Sequence, residues 1–381
     1  MIRTGPPAWP AVISVRISVV ALVDLGHRRR RGGGLGLPIT DPERGGRHMP
    51  ENRPSGYARR RLLRDTAVGA AAVTTAGLVA GAPARAAGPS PVAAPSRAAG
   101  GTRRGGAVSF RWWGTSGWRI DIGDRTVLVD PYLSRYDTGL FRKPFNPDTR
   151  LTVAADVVDR LADRAENIFV THTHWDHFND VPHIATRTGA RVFGTLTAYH
   201  LGLAYGLPTG QLAPVKGGEV LDFDGYTVEV AGSLHSRNPT WSMAFPGVRI
   251  SRPPRPETIA DLPEGDTLAY QIRIDGGPAV FFMGASDFDE RKLSGLAPDV
   301  AMVASAATTA TADYVPRLMA ALDRPKVVVP VHWDNFETPL TNPPTVADSD
   351  RERLDALVAE VRRVSPRSRV LVPEYHTAYR F

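Results

Sequence analysis

Residues 171–177 form the sequence Thr171-His172-Thr173-His174-Trp175-Asp176-His177, directly after the short apolar run 167–170. An apolar run of this length is typical of a buried strand. Four of the seven residues that follow it carry imidazole or carboxylate groups. Crowding such groups at a strand end costs stability through desolvation and mutual repulsion, unless a cation neutralises them. The stretch therefore predicts a metal site at a strand end, in preference to a solvated histidine-rich loop.

The spacing of these side chains directs them to two points. His172 and His174 alternate along an extended chain, so both can face the same way. Asp176 and His177 follow after the chain turns, and they can face a second point nearby. Imidazole together with carboxylate suits zinc, iron or manganese. Because the chain contains no cysteine, disulfides and thiolate ligands are excluded, and any metal must be bound by His, Asp or Glu.

The pattern His-x-His-x-Asp-His after a buried strand resembles the signature of the metallo-β-lactamase superfamily, and later histidines follow it at suitable intervals. The resemblance spans residues 107–381. Within the superfamily, residues 113–118 (Trp-Gly-Thr-Ser-Gly-Trp) and 127–133 (Val-Leu-Val-Asp-Pro-Tyr-Leu) resemble the opening of two branches. These are the L-ascorbate-6-phosphate-lactonase-like proteins and the N-acyl-phosphatidylethanolamine phospholipase D-like proteins. The narrower resemblance does not decide the substrate.

The resemblance also implies which later residues complete the metal site. His235 lies just past a predicted strand, 58 residues after His177, where the family has the third ligand of its first metal. His332 follows another predicted strand and matches the family's last histidine ligand. The other histidines of the body lack a ligand context, and we expect each to be structural or exposed: His183, His200 and His376.

One position departs from the family pattern. The common motif is Gly-Asp-Thr, with a metal-bridging aspartate directly after the glycine, whereas Ala285 follows Gly284 here. Asp287, two residues further on, is the candidate bridge, with Asp289 as the second choice. If neither side chain is a ligand, we expect a weaker second site and a centre that could bind a single metal.

With the resemblance, the ligand set implies two divalent metal ions, with zinc favoured and manganese or iron as alternatives. Metals about 3.5–4 Å apart share a hydroxide whose pKa has fallen from 15.7 toward about 7, and this hydroxide attacks a carbonyl carbon or a phosphorus atom. Asp176 is the predicted catalytic residue, because it would orient the hydroxide as well as bind metal. The first metal would be bound by His172, His174 and His235, and the second by Asp176, His177 and His332, with Asp287 as the bridge.

The sequence therefore favours a metal-dependent hydrolase that cleaves an ester-type bond. The phospholipase-like resemblance, the predicted export and an apolar loop favour a phosphodiester, a lactone or a lipid-like ester as the bond that is cleaved. The substrate would be a small molecule or a lipid-like molecule. One alternative is a non-catalytic metal-binding or envelope interaction protein, in which the open site would be blocked. Another alternative is a β-lactam hydrolase, for which no motif speaks specifically.

The charge of the chain is distributed unevenly. Residues 1–86 contain 14 arginines and five acidic residues, whereas the remaining residues contain 32 basic and 34 acidic side chains. The formal net charge of +7 therefore belongs to the leader. Nucleic-acid binding needs a basic surface, so the near-neutral body and the predicted export both argue against it. The apolar content of 42% is ordinary for a globular protein.

The leader predicts export. Residues 49–86 resemble a twin-arginine signal peptide: Arg59-Arg60-Arg61-Leu62-Leu63-Arg64 precedes an Ala/Gly-rich apolar segment and the cleavage motif Ala84-Arg85-Ala86. A basic amphipathic helix is the alternative. We expect residues 1–48 to be an over-extension of the reading frame, with Met49 as the true start, and residues 87–105 to be a mobile linker. The twin-arginine export machinery would then be a partner, and the mature chain, without a transmembrane span, would be extracellular or in the cell envelope.

Residues 106–381 are predicted to form one α/β catalytic domain. Hairpins and βα units imply sheets covered by helices, and the resemblance makes this the four-layer αββα metallo-β-lactamase sandwich. Strands are predicted at 107–112, 118–122, 126–130, 168–171, 191–193, 219–223, 226–231, 267–274, 279–283, 299–304, 326–330 and 369–372. Helices are predicted at 152–165, 179–188, 195–204, 313–322 and 350–364.

Residues 236–266 form a long proline-rich insertion directly after His235, with Trp241, Met243 and Phe245 near its start. Long irregular loops beside a ligand are usually functional. We therefore expect a lid or a wall of the substrate pocket with an apolar lip. The alternative is a surface excursion that packs on the core.

Overall fold

The computed structural model describes residues 107–142, 144–238 and 240–381. The predicted upstream extension (1–48), signal peptide (49–86) and linker (87–105) lie outside the described residues.

The first of two mixed sheets brings together the beginning and the end of this domain. Its strands β1 to β3 are antiparallel neighbours, β3 to β6 are parallel, and β14 pairs with β1 at the edge, in the order β14-β1-β2-β3-β4-β5-β6. The strands are β1 (Val108–Trp112), β2 (Trp118–Ile122), β3 (Arg125–Val129), β4 (Asn167–Phe169), β5 (Arg191–Gly194), β6 (Leu212–Pro214) and β14 (Ala378–Tyr379).

The second sheet also has seven strands, in the order β13-β12-β11-β10-β9-β8-β7. The strands from β7 to β10 pair antiparallel, and those from β10 to β13 pair parallel. They are β7 (Val220–Phe223), β8 (Tyr226–Ser233), β9 (Thr267–Ile274), β10 (Ala279–Met283), β11 (Val300–Ala304), β12 (Val327–Val331) and β13 (Arg369–Val370).

Helices cover the outer faces of both sheets. Helices α1 to α4 pack on the first sheet, where Leu128 and Ile168 contribute to the same buried cluster as Val158, Ile184 and Leu201 of three helices. Among the described residues, none of the helices is both long and apolar enough to cross a membrane. The helices are α1 (Ala155–Leu161), α2 (Trp175–Phe178), α3 (Val181–Thr188), α4 (Leu196–Ala204), α5 (Glu290–Leu293), α6 (Tyr314–Ala321) and α7 (Asp348–Val364).

The main core lies between the two sheets. Trp118 of the first sheet meets Phe282 of the second edge-on, with ring centroids 6.5 Å apart, and Phe169 meets Tyr270 at 5.2 Å. Strand β3 shows how the sequence supplies both faces, because Val127 and Val129 point into this core while Leu128 points under the helices. The four-layer αββα sandwich predicted from the sequence is confirmed.

The strand directions place several loops at one edge of each sheet. Strands β3, β4 and β5 are parallel, so their carboxyl ends meet. In the second sheet, β8 and β10 both run antiparallel to β9 and hence parallel to each other, and β12 has the same direction. The chain leaves β4, β8 and β12 immediately before the segments that contain five predicted histidine ligands and the predicted aspartate ligand.

Most predicted elements are confirmed, with shifted ends. The strands predicted at 118–122, 267–274 and 279–283 have the predicted bounds, whereas the helix predicted over 152–165 covers only 155–161. The prediction missed β6, β14, α2 and α5, which have two to four residues each. Elements this short carry too little periodicity to be distinguished from loops.

Candidate metal centre

Six of the seven predicted ligands come together in two groups of three. In each group, one ligand atom per residue lies within 4.8 Å of the other two. The first group, which we call the histidine triad, consists of His172, His174 and His235. The second, the aspartate triad, consists of Asp176, His177 and His332.

The histidine triad is a compact triangle of imidazoles. The ring centroids of His172 and His174 lie 4.9 Å apart, and the ring of His235 lies 4.8 Å from the first and 4.7 Å from the second. His172 and His174 follow β4, and His235 follows β8, so the two sheets contribute to one group. Three converging imidazole nitrogens match the protein ligands of a zinc-type site that keeps one open position.

The aspartate triad is built around a carboxylate. Oδ2 of Asp176 lies 3.2 Å from Nε2 of His332 and 3.5 Å from Nε2 of His177. Asp176 and His177 lie in the first turns of α2, and His332 directly follows β12. Nε2 of His177 is buried and has no hydrogen-bond partner among the described residues. A metal ion at this point would satisfy that nitrogen.

The two triads are adjacent. The ring centroids of His172 and His177, one from each triad, lie only 3.9 Å apart. Contact between these two rings places one ligand of each triad side by side. The arrangement therefore fits a shared dinuclear centre better than two independent sites.

Backbone carbonyl oxygens lie within hydrogen-bond distance of one ring nitrogen of His174 and of His235. Nε2 of His174 lies 2.9 Å from the carbonyl oxygen of Ala244, and Nδ1 of His235 lies 2.7 Å from that of Ser236. When such a nitrogen carries the proton, it donates to the carbonyl and the other nitrogen is free to bind metal. This arrangement orients the ring and selects the tautomer in metal sites generally.

Burial and charge make the triads ready to bind cations. Burial lowers the pKa of His172 well below its ordinary value, and the neighbouring His177 and His235 lower it further. Burial likewise lowers the pKa of His174 to about 3 and that of His235 to about 4. The histidine triad is therefore uncharged at neutral pH, and neutral imidazole is the form that binds metal.

The aspartate triad is different because it contains a buried anion. Burial raises the pKa of Asp176, but His177 and His332 outweigh burial and the net shift is downward. Burial lowers the pKa of His177, and the carboxylates of Asp176 and Asp130 more than compensate, so its net shift is upward. The carboxylate of Asp176 is therefore an anion, and a divalent cation would balance its charge.

Asp130 is a functional residue that the sequence analysis treated only as the end of a strand. Its Oδ2 lies 2.8 Å from Nδ1 of His177 and accepts a hydrogen bond of 2.5 Å from Oγ1 of Thr171, and its Oδ1 accepts from the backbone N–H of Thr171 at 2.7 Å. The carboxylate is fully buried. Asp130 therefore joins the end of β3 to the beginning of the ligand segment and orients one ligand. The Asp-Pro pair at the end of a predicted strand was the available signal.

A second buried network supports His332. The backbone of His332 has a positive φ of 59°, and its N–H donates to the carbonyl oxygen of Thr115 at 2.8 Å. The N–H of Thr115 donates to Oδ1 of Asp334 at 2.8 Å. Oδ2 of Asp334 accepts from Arg135 at 2.6 Å and from the hydroxyl of Tyr375 at 2.8 Å. The strained backbone of this ligand is thus stabilised by a network that includes Asp334 of the same loop and three distant segments, at Thr115, Arg135 and Tyr375.

Asp287, the predicted bridge, does not join either triad. Its carbonyl oxygen accepts a hydrogen bond from Ser233 at 3.2 Å, and its Oδ1 accepts from the N–H of Phe288 at 2.9 Å. Asp289, the second choice, caps α5 by accepting from the N–H of Arg291. Ala285 is buried, and its methyl group offers no ligand atom at the position after Gly284. The six triad residues are the metal-binding groups found among the described residues.

The other three histidines of the described chain lie outside the triads. His183 pairs with Asp159 at 2.8 Å, and His376 contacts the carbonyl oxygen of Leu340 at 3.3 Å. His200 lies in α4. None of the three belongs to a metal-binding group found among the described residues, and their structural or exposed roles stay a prediction.

Aromatic side chains surround the ligands. The ring of Phe336 lies 5.3 Å from that of His332, and the ring of Phe245 lies 6.2 Å from that of His174. Trp175 lies between them, 6.0 Å from Phe245 and 6.3 Å from Phe336. This aromatic wall gives the centre an apolar boundary, which strengthens electrostatic interactions inside it.

A cavity of about 790 Å³ adjoins the histidine triad. Its lining combines apolar and charged groups, among them Leu234, His235, Arg237, Met243, Lys292 and Asp287. The volume is in the range of cavities that hold a small organic ligand. The insertion after His235 forms part of this lining, so the expected pocket wall is present; Ile259 and Leu262 of the same insertion pack in the core.

Three comparisons relate the chain to known proteins. The model of the family described as the beta-lactamase superfamily domain matches residues 109–332, which is more than half of the chain and includes both triads. The chain is similar to a UPF0173 metal-dependent hydrolase of Myxococcus xanthus, with 25% identity over 71% of this chain and 82% of the relative. It is also similar to a UPF0173 metal-dependent hydrolase of Pyrobaculum islandicum, with 26% identity over 60% of this chain and 85% of the relative. Its fold resembles that of a metallo hydrolase from Ignicoccus hospitalis, with a TM-score of 0.44, 22% identity and coverage of 72% of this chain and 98% of the other.

The role of Asp130 can be tested with Asp130→Asn. The amide nitrogen would face Nδ1 of His177 without accepting its hydrogen bond, so the proton would move to Nε2 and block the ligand position. We expect the affinity for zinc to fall about 10–100-fold, measured by competition with a chromophoric chelator. Asp159→Asn, which alters the surface pair with His183, is the matched control and should bind zinc normally. Unchanged zinc affinity in the folded Asp130→Asn variant would contradict the role.

The packing behind the ligands can be tested with Gly284→Ala. A Cβ atom here would lie 2.0 Å from Oγ1 of Thr171 and 3.0 Å from Oδ2 of Asp130. We expect the free energy of unfolding in urea to fall by about 1–3 kcal/mol because of overpacking. Gly210→Ala is the control, because a Cβ atom at Gly210 meets no atom within 4 Å. Equal free energies of unfolding for the two variants would show that Thr171 and Asp130 can move aside for the added methyl group without loss of stability, and would contradict the prediction.

Proposed function

The chain belongs to the beta-lactamase superfamily, and from this membership we propose that its two triads bind two divalent metal ions and that the centre cleaves an ester-type bond. Its broad activity is metal-dependent hydrolysis, the activity for which its relatives are named. The observation that supports the proposal is the contact between the two triads, in which the ring centroids of His172 and His177 lie 3.9 Å apart. Zinc is the metal favoured by this ligand set, with manganese or iron as alternatives.

The residues of the chain divide the work. When bound, the metal ions supply Lewis acidity and lower the pKa of water toward neutrality. Asp176 is an anion at neutral pH because its pKa lies below the ordinary value. Its carboxylate can accept a hydrogen bond from the attacking water and so orient it toward the scissile bond. Asp130 keeps His177 in one tautomer through the 2.8 Å contact described above.

The surroundings support a substrate with apolar and anionic parts. The aromatic wall excludes bulk water and offers a surface to an acyl or similar group. The lining of the adjoining cavity has mixed charge. Arg237 and Lys292 provide positive charge beside the apolar side chains of Leu234 and Met243, and carboxylates are contributed by Glu219, Asp266 and Asp287. Glu264, on another part of the lining, is engaged by the N–H of Asp266 at 3.0 Å and the hydroxyl of Thr267 at 2.5 Å. We therefore favour a phosphodiester, or a lactone or lipid-like ester.

We also propose that the protein is exported by the twin-arginine route and acts outside the cytoplasm or in the cell envelope. Support comes from the order of the arginine motif, the Ala/Gly-rich segment and the Ala84-Arg85-Ala86 motif. This route carries folded proteins, which suits an enzyme that acquires its metal before export.

The proposed activity can be tested with purified protein and two substrates, bis(p-nitrophenyl) phosphate and a simple lactone. We expect close to two metal ions per chain by elemental analysis, and turnover that a chelator abolishes. His172→Ala should abolish turnover and lower the metal content, because it removes one of three ligands of the histidine triad. His183→Ala is the matched control and should retain both.

The outcomes separate the alternatives. One metal per chain with turnover would indicate that the centre works without the second site. Turnover in His172→Ala would refute the assignment of the histidine triad. Absence of metal after reconstitution, together with absence of turnover, would leave the non-catalytic binding protein as the better description.

Export can be tested by expressing Arg59→Lys/Arg60→Lys in cells with the twin-arginine system. We expect the variant to remain in the cytoplasm, since that system requires the arginine pair, and the wild-type product to begin at Ala87. Arg103→Lys/Arg104→Lys, in the predicted linker, is the control and should be exported normally. Export of the first variant, detected by cell fractionation, would exclude this route.

A further inference from the structure

The loop that follows His235 has an unusual charge. Residues 236–256, which we call the cationic lip, contain four arginines and no acidic residue. The domain around it, residues 107–381, contains 29 basic and 34 acidic side chains. The lip is therefore a local concentration of positive charge in a domain that is otherwise acidic. Its arginines are Arg237, Arg249, Arg252 and Arg255.

These arginines are available to a partner. Arg237, Arg252 and Arg255 are exposed, and Arg249 is half-buried. Within the part of the chain that the structure describes, none of the four forms an ion pair with a carboxylate. Arg249 donates to the carbonyl oxygen of Asp261 at 3.4 Å, and Arg255 lies 5.3 Å from the ring centroid of Tyr205. By contrast, arginines elsewhere in the domain commonly form ion pairs with carboxylates, as Arg119 does with Asp121 at 3.0 Å.

The lip also exposes large apolar side chains. Trp241 is 69% exposed, Ile250 is 78% exposed and Val248 is 47% exposed. Leu196 and Leu234, on neighbouring segments, are each 48% exposed. These five are the majority of the nine large hydrophobic side chains that are exposed among the described residues. Exposed apolar groups concentrated in this way mark an interaction surface.

Hydrogen bonds hold these segments beside one another. The N–H of Arg249, between Val248 and Ile250, donates to Oγ1 of Thr197 at 3.0 Å, which places this part of the lip against the start of α4 and next to Leu196. At the other end, Nη1 of Arg237 donates to the carbonyl oxygen of Trp241 at 3.3 Å. Positive charge and apolar side chains are therefore interleaved in space as well as in sequence.

The inner side of the lip belongs to the metal centre. The carbonyl oxygen of Ala244 lies 2.9 Å from Nε2 of His174, and Phe245 forms part of the aromatic wall. Arg237 and Met243 line the cavity beside His235. Whatever binds the outer side of the lip is therefore positioned at the entrance to the centre.

We propose that the outer side of the cationic lip binds the surface of an anionic phospholipid bilayer. Arginine guanidinium groups pair with lipid phosphates, while Trp241, Val248 and Ile250 enter the boundary between headgroups and acyl chains. Tryptophan is enriched at this boundary because its ring is apolar and its N–H is polar. A folded protein partner would instead be expected to meet a continuous apolar patch with few charges at its centre.

This inference is independent of the proposed hydrolysis, since membrane binding is measured without turnover. Membrane binding by the lip would also place the mouth of the cavity beside His235 against a lipid surface, so that an amphiphilic molecule could enter the cavity without crossing bulk water.

The test is co-sedimentation of the intact protein with vesicles. We expect binding to vesicles of equimolar phosphatidylglycerol and phosphatidylcholine, weakened by salt, and little binding to vesicles of phosphatidylcholine alone. Soluble glycerol phosphate at the same headgroup concentration should not displace the protein, because the apolar contacts need a bilayer. Displacement by glycerol phosphate would instead indicate a site for a free phosphate group and would overturn the proposal.

Two variants with matched controls locate the surface. Arg252→Glu/Arg255→Glu should weaken binding to the anionic vesicles roughly tenfold or more, whereas Arg351→Glu/Arg362→Glu, with the same charge change on exposed residues of α7, should weaken it much less. Trp241→Ser/Ile250→Ser should also weaken binding, and Val372→Ser should not. Thermal unfolding checks that each variant is folded.

Either of two results would overturn the proposal. One is equal binding, or none, to the two kinds of vesicle. The other is an equal loss in the lip variant and the α7 variant, which would show that net charge alone drives binding. If a lip variant loses vesicle binding but hydrolyses a soluble substrate normally, the result supports membrane binding by the lip and does not test the proposed hydrolysis. The two proposals can therefore be refuted independently.

Discussion

The contact between the buried carboxylate of Asp130 and the segment that begins at Thr171 is the constraint on which the centre depends. One side chain ends β3, accepts two hydrogen bonds from Thr171 and orients the ring of His177. A buried carboxylate is tolerated only when its oxygens are satisfied in this way. The position of the His-x-His-x-Asp-His motif is therefore set by a hydrogen-bonded anion beneath it as well as by the strand before it. Gly284, which follows a strand of the second sheet, packs tightly against Asp130 and Thr171 and so supports the same contact from the other side.

The topology explains why ligands that are far apart in sequence converge. The carboxyl ends of β8 and β12 lie at one edge of the second sheet, and the face-to-face packing of the sheets brings this edge to the end of β4. His235 and His332 are each the first or second residue past their strand, so their backbones are held by the sheet. His332 has additional support from Thr115 and Asp334, which compensates for its positive φ. A ligand in a strained backbone conformation is pre-positioned, because it does not have to be ordered when metal binds.

The two triads divide their electrostatic roles. The histidine triad is neutral, and the aspartate triad carries the charge that attracts a cation. The aromatic wall and the lip then separate the centre from bulk water. The lip extends from the metal centre to the protein surface, since Ala244 contacts His174 while Trp241 and Ile250 remain exposed. This continuity is why the proposed lipid surface and the proposed ester substrate are compatible, although neither depends on the other.

The sequence by itself determined the chemical type of the centre and the general architecture. Dense ligands after an apolar run predicted a metal site, and the family resemblance predicted the αββα sandwich and the contributions of His235 and His332. The sequence did not reveal Asp130, the support of His332 by Thr115 and Asp334, or the separation of Asp287 from both triads. These features depend on contacts between residues tens to hundreds of positions apart, and a local pattern carries no information about such contacts. Only the tertiary structure decided them, because the turn after Gly284 and the packing of the two sheets determine which carboxylate reaches the centre.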